Sequence, residues 1–426
     1  MARIEHINQQ PYFCRVEGGE VLYSPHENRF KCLLPQIFWA NQAPWQEANL
    51  WLYERVITRE VDVTTAETNV RALLHYANFL ELRALKWDEF PAQKSERCLV
   101  MYRGFLIKER ETGKLASSTV SARMAYVIAF YRWVMQRKIM DVRTQQWTDK
   151  RVFIKYFDSV GFERTLARVT TDLSIPNRAR LTTNLEDGLL PVSAHDRDKI
   201  LSFARESASP ELFLMLSLGF FTGMRLGTIC DLKIGSLDLA VPDPIVGGMY
   251  HISVGPGASV PVHTKFGING QVWITKELLE VLKDYSNGVR RLTRQQKASG
   301  RAKQLLFLTR YGNPYSRGNS DRSSAVNVEM GTLRKNGARN DIKPLSGFRF
   351  HQSRCTFGTE LALLAIRAHE EISALAFVRD ALLHKDEATT LKYIKFVRNA
   401  PLKKTISDAF SAAFVGVLNP VDRGAC

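Results

Sequence analysis

Between residues 46 and 160, apolar positions recur at helical spacing. In TTAETNVRALLHYANFLELR, Val70, Leu73, Leu74, Ala77 and Leu80 line one face, and Thr64 with Glu67 forms a capping-box signal at the front. SSTVSARMAYVIAFYRWVMQRKIM repeats the arrangement with Val120, Met124, Val127, Tyr131 and Val134, with Ser117 or Ser118 as the cap. Residues 1–45 carry a different pattern, the short runs YFCRV, GGEVLYS and RFKCLL, in which Val21, Tyr23, Phe30 and Cys32 fit a small hairpin or arm. Residues 161–190 mix Pro, Gly, Asn and Thr with few periodic apolar positions and read as a linker, so a second domain is expected from 191 to 426. It opens with SPELFLMLSLGFF, a buried helix closing at Thr222-Gly223. MYHISV, SVPVHTK and GQVWIT then alternate as strands, the last two joined by a turn over 266–270. EATTLKYI reads as a helix, and Ile406, Ala409, Phe410, Ala413, Phe414 and Val417 make an apolar stripe near the carboxyl end. The expected fold is mainly α with a small antiparallel β-sheet, divided into an amino-terminal segment (1–45), a helical domain (46–160), a linker (161–190) and a larger domain (191–426).

Charge adds a partner. The 426 residues carry a net charge of +16, and that excess of cations points to a polyanion, of which nucleic acid is the commonest. A basic enzyme unrelated to nucleic acid is the rival reading. The helix ending near 138 carries Arg123, Arg132, Arg137 and Lys138 away from its apolar stripe; these are candidates for DNA-backbone contact, against the alternative of a solvated basic face. Residues 286–345 are the most basic and least periodic part and read as a loop or a DNA-facing insertion. The six cysteines are scattered without a C-x-x-C pair, as in a reducing compartment. Cys14, His26 and Cys32 lack a fourth ligand, and no metal site is assigned. MARIEHINQQ is not a secretory signal, and the apolar run at 212–221 is too short to span a bilayer. A soluble cytoplasmic protein with no membrane partner is expected.

The candidate chemistry is concentrated late in the chain. His351 and Arg354 are three apart and share a helical face, where they can present a proton donor or acceptor and a guanidinium to one phosphate. His384 and Tyr393 follow within a short span. Arg225 comes directly after a buried helix and a turn, so it is either ion-paired or reaching for a ligand. Few acids stand near Arg225 and Arg354 in sequence, which argues against structural ion pairs. Two histidines, fixed cations and a phenol are the tools for phosphoryl transfer through a covalent tyrosine intermediate. Taken singly, each has a bland account: a core histidine, an amphipathic-helix tyrosine, a solvated lysine beside a turn.

Together, these stretches resemble the tyrosine recombinases, the phage integrase family. TGMRLGTICDLK is similar to that family's first arginine box (Arg225), HQSRCTF to its H-x-x-R box (His351, Arg354), and LLHKDEATTLKYI to its closing box (His384 and the nucleophile Tyr393). The hairpin TKFGINGQVWI is similar to the one carrying the family's lysine, giving Lys265, with Lys276 a poorer alternative. Leu383 stands where a glycine commonly precedes the histidine, and Thr228 replaces the acid often found three residues after the first arginine. The resemblance covers about residues 46–410. It implies a helical core-binding domain and a catalytic domain closing on duplex DNA as a clamp, and a homotetramer on two DNA sites with the helix around Phe410 and Phe414 as an intersubunit contact. It implies cleavage through a 3′-phosphotyrosyl link with no metal and no ATP. In that chemistry Arg225 and Arg354 hold nonbridging oxygens, His351 accepts the Tyr393 proton, His384 donates to the phosphate and Lys265 protonates the leaving 5′ oxygen. Integration, excision or resolution for a mobile element, a phage or a chromosome would all fit. A type IB topoisomerase-like enzyme and a catalytically silent DNA-binding protein of the same fold are the alternatives.

Overall fold

The computed structural model describes residues 1–9, 12–25, 32–140, 146–157, 163–177, 185–316, 321–368 and 371–398. The chain divides into two compact units, Met1–Leu181 and Thr182–Cys426. As the periodicity predicts, it is mainly helical with small antiparallel sheets.

The first unit opens with strands β1 (Arg3–Gln9), β2 (Tyr12–Glu17), β3 (Glu20–Pro25) and β4 (Cys32–Phe38), in which β1 pairs with β4 and β2 with β3. Cys14 is exposed, and His26, Phe30 and the Cys32 side chain lie outside the described residues. Four helices follow: α1 (Gln46–Ile57), α2 (Val63–Leu82), α3 (Cys98–Glu111) and α4 (Ser117–Gln136). The two apolar stripes face one core. Val70, Leu73, Ala77 and Leu80 of α2 and Val120, Met124, Val127, Tyr131 and Val134 of α4 are buried, while Leu74 is half-buried. Both expected caps shift. Asp62, not Thr64, caps α2 by accepting from the Thr65 amide, because a carboxylate one residue before the helix reaches that orphan N–H. Ser117 lies inside α4, whose N-cap Ala116 offers no side-chain bond.

The expected linker is partly structured. β5 (Asp149–Phe157) and β6 (Glu163–Thr171) form an antiparallel hairpin, so a strand runs through the stretch where a linker from 161 was expected. The β-branched residues Val169, Thr170 and Thr171 favour an extended strand over the coil that the polar composition suggested.

The second unit contains α5 (Ala194–Ser207), α6 (Pro210–Thr222), α7 (Leu226–Cys230), α8 (Ile234–Asp238), β7 (Val241–Pro242), β8 (Met249–Val254) and β9 (Gly270–Thr275). Then come α9 (Lys276–Asn287), α10 (Val289–Lys297), α11 (Ser324–Arg339), α12 (His351–Ala368), α13 (Glu371–Ala381) and a helix, α14, over residues 387–398. The buried helix α6 forms as its sequence dictates: Ser209 caps it, Pro210 opens it and Gly223 ends it at φ 66°.

The three-stranded sheet has the order β7-β8-β9, with Val254 opposite Gly270. SVPVHTK is therefore not a strand. Gly255, Pro256, Gly257 and Pro261 break the ladder, leaving a single bridge between Gly255 and Val262. The basic 286–345 stretch is also more ordered than expected. Arg291 is buried and donates to the carbonyls of Lys303 and Leu305. Arg290 and Arg294 pair at 2.8 and 3.0 Å with Glu211, itself wholly buried on α6. The charge pattern suggested a DNA-facing insertion, but these three guanidiniums hold α10 to the core. The apolar stripe around Phe410 and Phe414 lies outside the described residues.

Candidate active site

The second unit brings the late-chain candidates together around one carboxylate that sequence reasoning did not single out. Glu186 sits on a single helical turn, Glu186–Gly188. Its Oε2 meets Arg225 Nη2 at 3.1 Å and His351 Nε2 at 3.5 Å. Its Oε1 meets Arg354 Nε at 3.2 Å, His384 Nε2 at 2.6 Å and the Tyr393 hydroxyl, which donates to it, at 3.1 Å. Two guanidiniums, two imidazoles and one phenol, drawn from four elements, converge within hydrogen-bond or ion-pair reach of two oxygens. The few acids near the arginines in sequence had argued against ion pairing; the acid comes instead from 39 residues before Arg225.

Each side chain is placed by its element. Gly223 takes the left-handed conformation that ends α6, and the chain then turns so that Arg225 caps α7. The Gly223 carbonyl accepts from Arg354 Nη1 at 2.6 Å, and the Leu382 carbonyl accepts from Nη2 at 2.7 Å. Arg354 is thus fixed by backbone groups as well as by Glu186. Arg225 is less satisfied: its buried Nε has no hydrogen-bond partner among the described residues. His351 begins α12, one turn before Arg354, as the spacing predicts. His384 is buried and holds Thr390 Oγ1 at 2.9 Å through Nδ1. Tyr393 is fully buried on α14 with its ring 5.7 Å from that of His384.

Lys265 lies in the loop between β8 and β9, at the start of the turn Lys265–Gly267. It is exposed, it stands over the Phe266 ring, and it lines a small cavity with Arg225, Arg354 and Leu383. Lys276 is at the first position of α9, paired at 3.8 Å with Glu280, and does not line that cavity. Leu383, the departure from glycine, has φ 49°, the left-handed conformation that glycine adopts without cost. Its side chain lies where a Cβ on Gly270 would go, so a glycine on the neighbouring strand makes the room.

The electrostatics follow from burial among cations. Burial alone would raise the Glu186 carboxyl, but Arg354, hydrogen bonds from His351 and His384, and Arg225 together hold it far below the usual carboxylate range. Burial, with the Glu186 charge added, pushes the Tyr393 phenol well above its ordinary value. Burial also lowers His384, against the pull of Glu186 and with help from Arg354.

The four candidate backbone-contact residues are in the first unit. Arg132 pairs with Asp149 at 2.6 Å and Arg137 with Glu54 at 2.9 Å, both exposed pairs of little energetic weight. Lys138 is exposed, whereas Arg123 is half-buried near His75, with its Nη1 buried and unpartnered among the described residues. Among the described residues no cluster of ligands could hold a metal, and no helix is long and apolar enough to cross a membrane.

Several solved structures are similar to this chain. The Tn1549 transposon integrase in complex with transposon right end DNA is 14% identical, with 84% of this chain and 98% of that chain covered, at a TM-score of 0.48. A lambda integrase dimer bound to a COC′ core site is 13% identical, covering 82% and 76%, at 0.46. XerA recombinase is 15% identical, covering 84% and 98%, at 0.33. No curated protein matches the chain. Residues 192–398, the stretch that carries Arg225, Lys265, His351, Arg354, His384 and Tyr393, match the Phage integrase family.

Proposed function

We propose that this protein is a site-specific DNA recombinase that cleaves and rejoins duplex DNA through a 3′-phosphotyrosyl link to Tyr393. The observation that carries the reading is the convergence of Arg225, Arg354, His351, His384 and Tyr393 on a single anion. A phosphodiester in that position is gripped by both guanidiniums, which balance the charge that grows as the phosphorus becomes five-coordinate. Loss of either clamp costs on the order of 3 kcal/mol in barrier, by analogy with an oxyanion-hole donor. The Tyr393 oxygen bonds to phosphorus and its proton passes to His351, while His384 donates to a nonbridging oxygen. The bond to the 5′ oxygen breaks, and Lys265, on its exposed loop at the edge of the cavity, supplies the proton that makes a 5′ hydroxyl. The phosphotyrosyl ester retains the energy of the bond it replaces, so attack by a 5′ hydroxyl from another strand needs neither ATP nor a metal.

The helical first unit is assigned to holding the duplex, and four copies on two sites to the exchange. The test is to map covalent protein–DNA junctions in cells expressing the native chain or Tyr393→Phe. Junctions at defined sites are expected with the native chain only. Adducts undiminished in the Phe variant refute Tyr393 as the nucleophile. Relaxation of supercoiled DNA without strand exchange moves the reading to a topoisomerase of type IB chemistry.

A further inference from the structure

We infer that Glu186 is an internal surrogate for the scissile phosphate, a self-inhibitory plug that DNA must displace before Tyr393 can react. The inference rests on the reading above for what the subsite binds, and on the structure for what fills it.

Three observations carry it. First, the carboxylate spends its two oxygens on the three groups assigned to hold the phosphate, Arg225, Arg354 and His384, and on the two assigned to the attack, His351 and Tyr393. The same donors cannot serve two anions at once, and two anions so close in a partly dry pocket repel each other. Second, the site is not built around Glu186. The backbone carbonyls of Gly223 and Leu382 orient Arg354 independently, and the buried Arg225 Nε–H has no acceptor among the described residues, this carboxylate included. A phosphate, with more oxygens, offers that donor a partner. Third, Glu186 is carried on a plug-like loop. The Leu185 amide donates to the Leu189 carbonyl at 3.0 Å, closing a tight turn, and Leu185 packs into the apolar cluster that contains Tyr393, Cys355 and Leu382. Withdrawing the carboxylate therefore lifts one leucine from the nucleophile's own packing.

Two other roles for Glu186 are weaker. A base for Tyr393 must hold a proton, and a carboxylate between two guanidiniums is a poor acceptor. A substitute for the acid that Thr228 replaces would orient Arg225 alone, yet Glu186 also engages His351, Arg354, His384 and Tyr393.

The test uses the full chain in two measurements. In the absence of DNA, binding of inorganic phosphate is followed by calorimetry for the native chain, Glu186→Gln and Glu186→Ala. The variants are expected to bind phosphate at least about tenfold more tightly than the native chain, the effect of about one charge-assisted hydrogen bond. On DNA carrying a mapped cleavage site, adduct formation at sub-saturating DNA is expected to rise in both variants, with the difference closing at saturation. Phosphate affinity equal in all three proteins overturns the inference. So does slower adduct formation in both variants at saturating DNA with the fold intact, which makes Glu186 a positioning residue. Glu186→Gln keeps the shape of the side chain and serves if the alanine variant fails to fold. Failure of the native chain to form any Tyr393 adduct counts against the recombinase reading, while the phosphate measurement still judges the plug.

Discussion

Gly358 offers a direct check that Tyr393 occupies the position described. It lies within α12, where exchanging glycine for alanine ordinarily stabilises a helix by about 1 kcal/mol. At this position an added Cβ would stand 2.6 Å from Tyr393 Cε1, 3.0 Å from Cδ1 and 2.9 Å from Leu382 Cδ1. The tyrosine ring is buried, so relief requires the ring or α12 to move. Overpacking of this kind costs about 1–3 kcal/mol, which cancels or exceeds the helical gain and leaves a net loss of up to about 2 kcal/mol. Displacement of the hydroxyl by around 1 Å would lower adduct formation by about 100-fold. Gly331, inside α11, is the control: nothing lies within 4 Å of its added Cβ, and Gly331→Ala should gain up to about 1 kcal/mol without affecting adducts. Chemical denaturation and recovery of covalent DNA adducts from cells give the two readouts. If Gly358→Ala is as stabilising as Gly331→Ala and forms adducts at the native level, Tyr393 does not pack against α12 and the account of the site fails.

Gly270→Ala should cost about 1–3 kcal/mol in the native background and much less beside Leu383→Gly, because the clash is with the Leu383 side chain; equal costs in a double-mutant cycle would refute the compensation. Glu211→Gln should destabilise by about 3–5 kcal/mol, since it leaves Arg290 and Arg294 without their buried charge partner. Burial would raise the Glu211 carboxyl, but Arg290, Arg294 and Tyr285 hold it below its ordinary value, so its stabilisation is present above pH 4.5 and is lost as pH falls through the folded value. Native and Glu211→Gln denaturation midpoints should therefore converge in acid, and a constant gap would refute the linkage. With a net charge of +16, DNA affinity should fall steeply with salt, and a flat response in a titration would exclude phosphate tracking by the basic surfaces.

The sequence alone determined the local periodic order and the order of the candidate groups. Apolar spacing placed the buried faces of α2 and α4 because a helix repeats its face every three to four residues, and a core must be filled. The same spacing put His351 and Arg354 on one turn of α12, and the apolar run ending at Thr222-Gly223 foretold α6. Tertiary structure decided what no interval along the chain encodes. Glu186 lies in a polar stretch with no periodic signal, and only folding carries it to Arg354, Tyr393 and His384. Arg290, Arg291 and Arg294 read as surface charge until their partners arrive from α6 and from backbone carbonyls. A charge's role depends on which opposite charge or carbonyl lies within a few ångströms, and that distance is set by packing between segments remote in sequence.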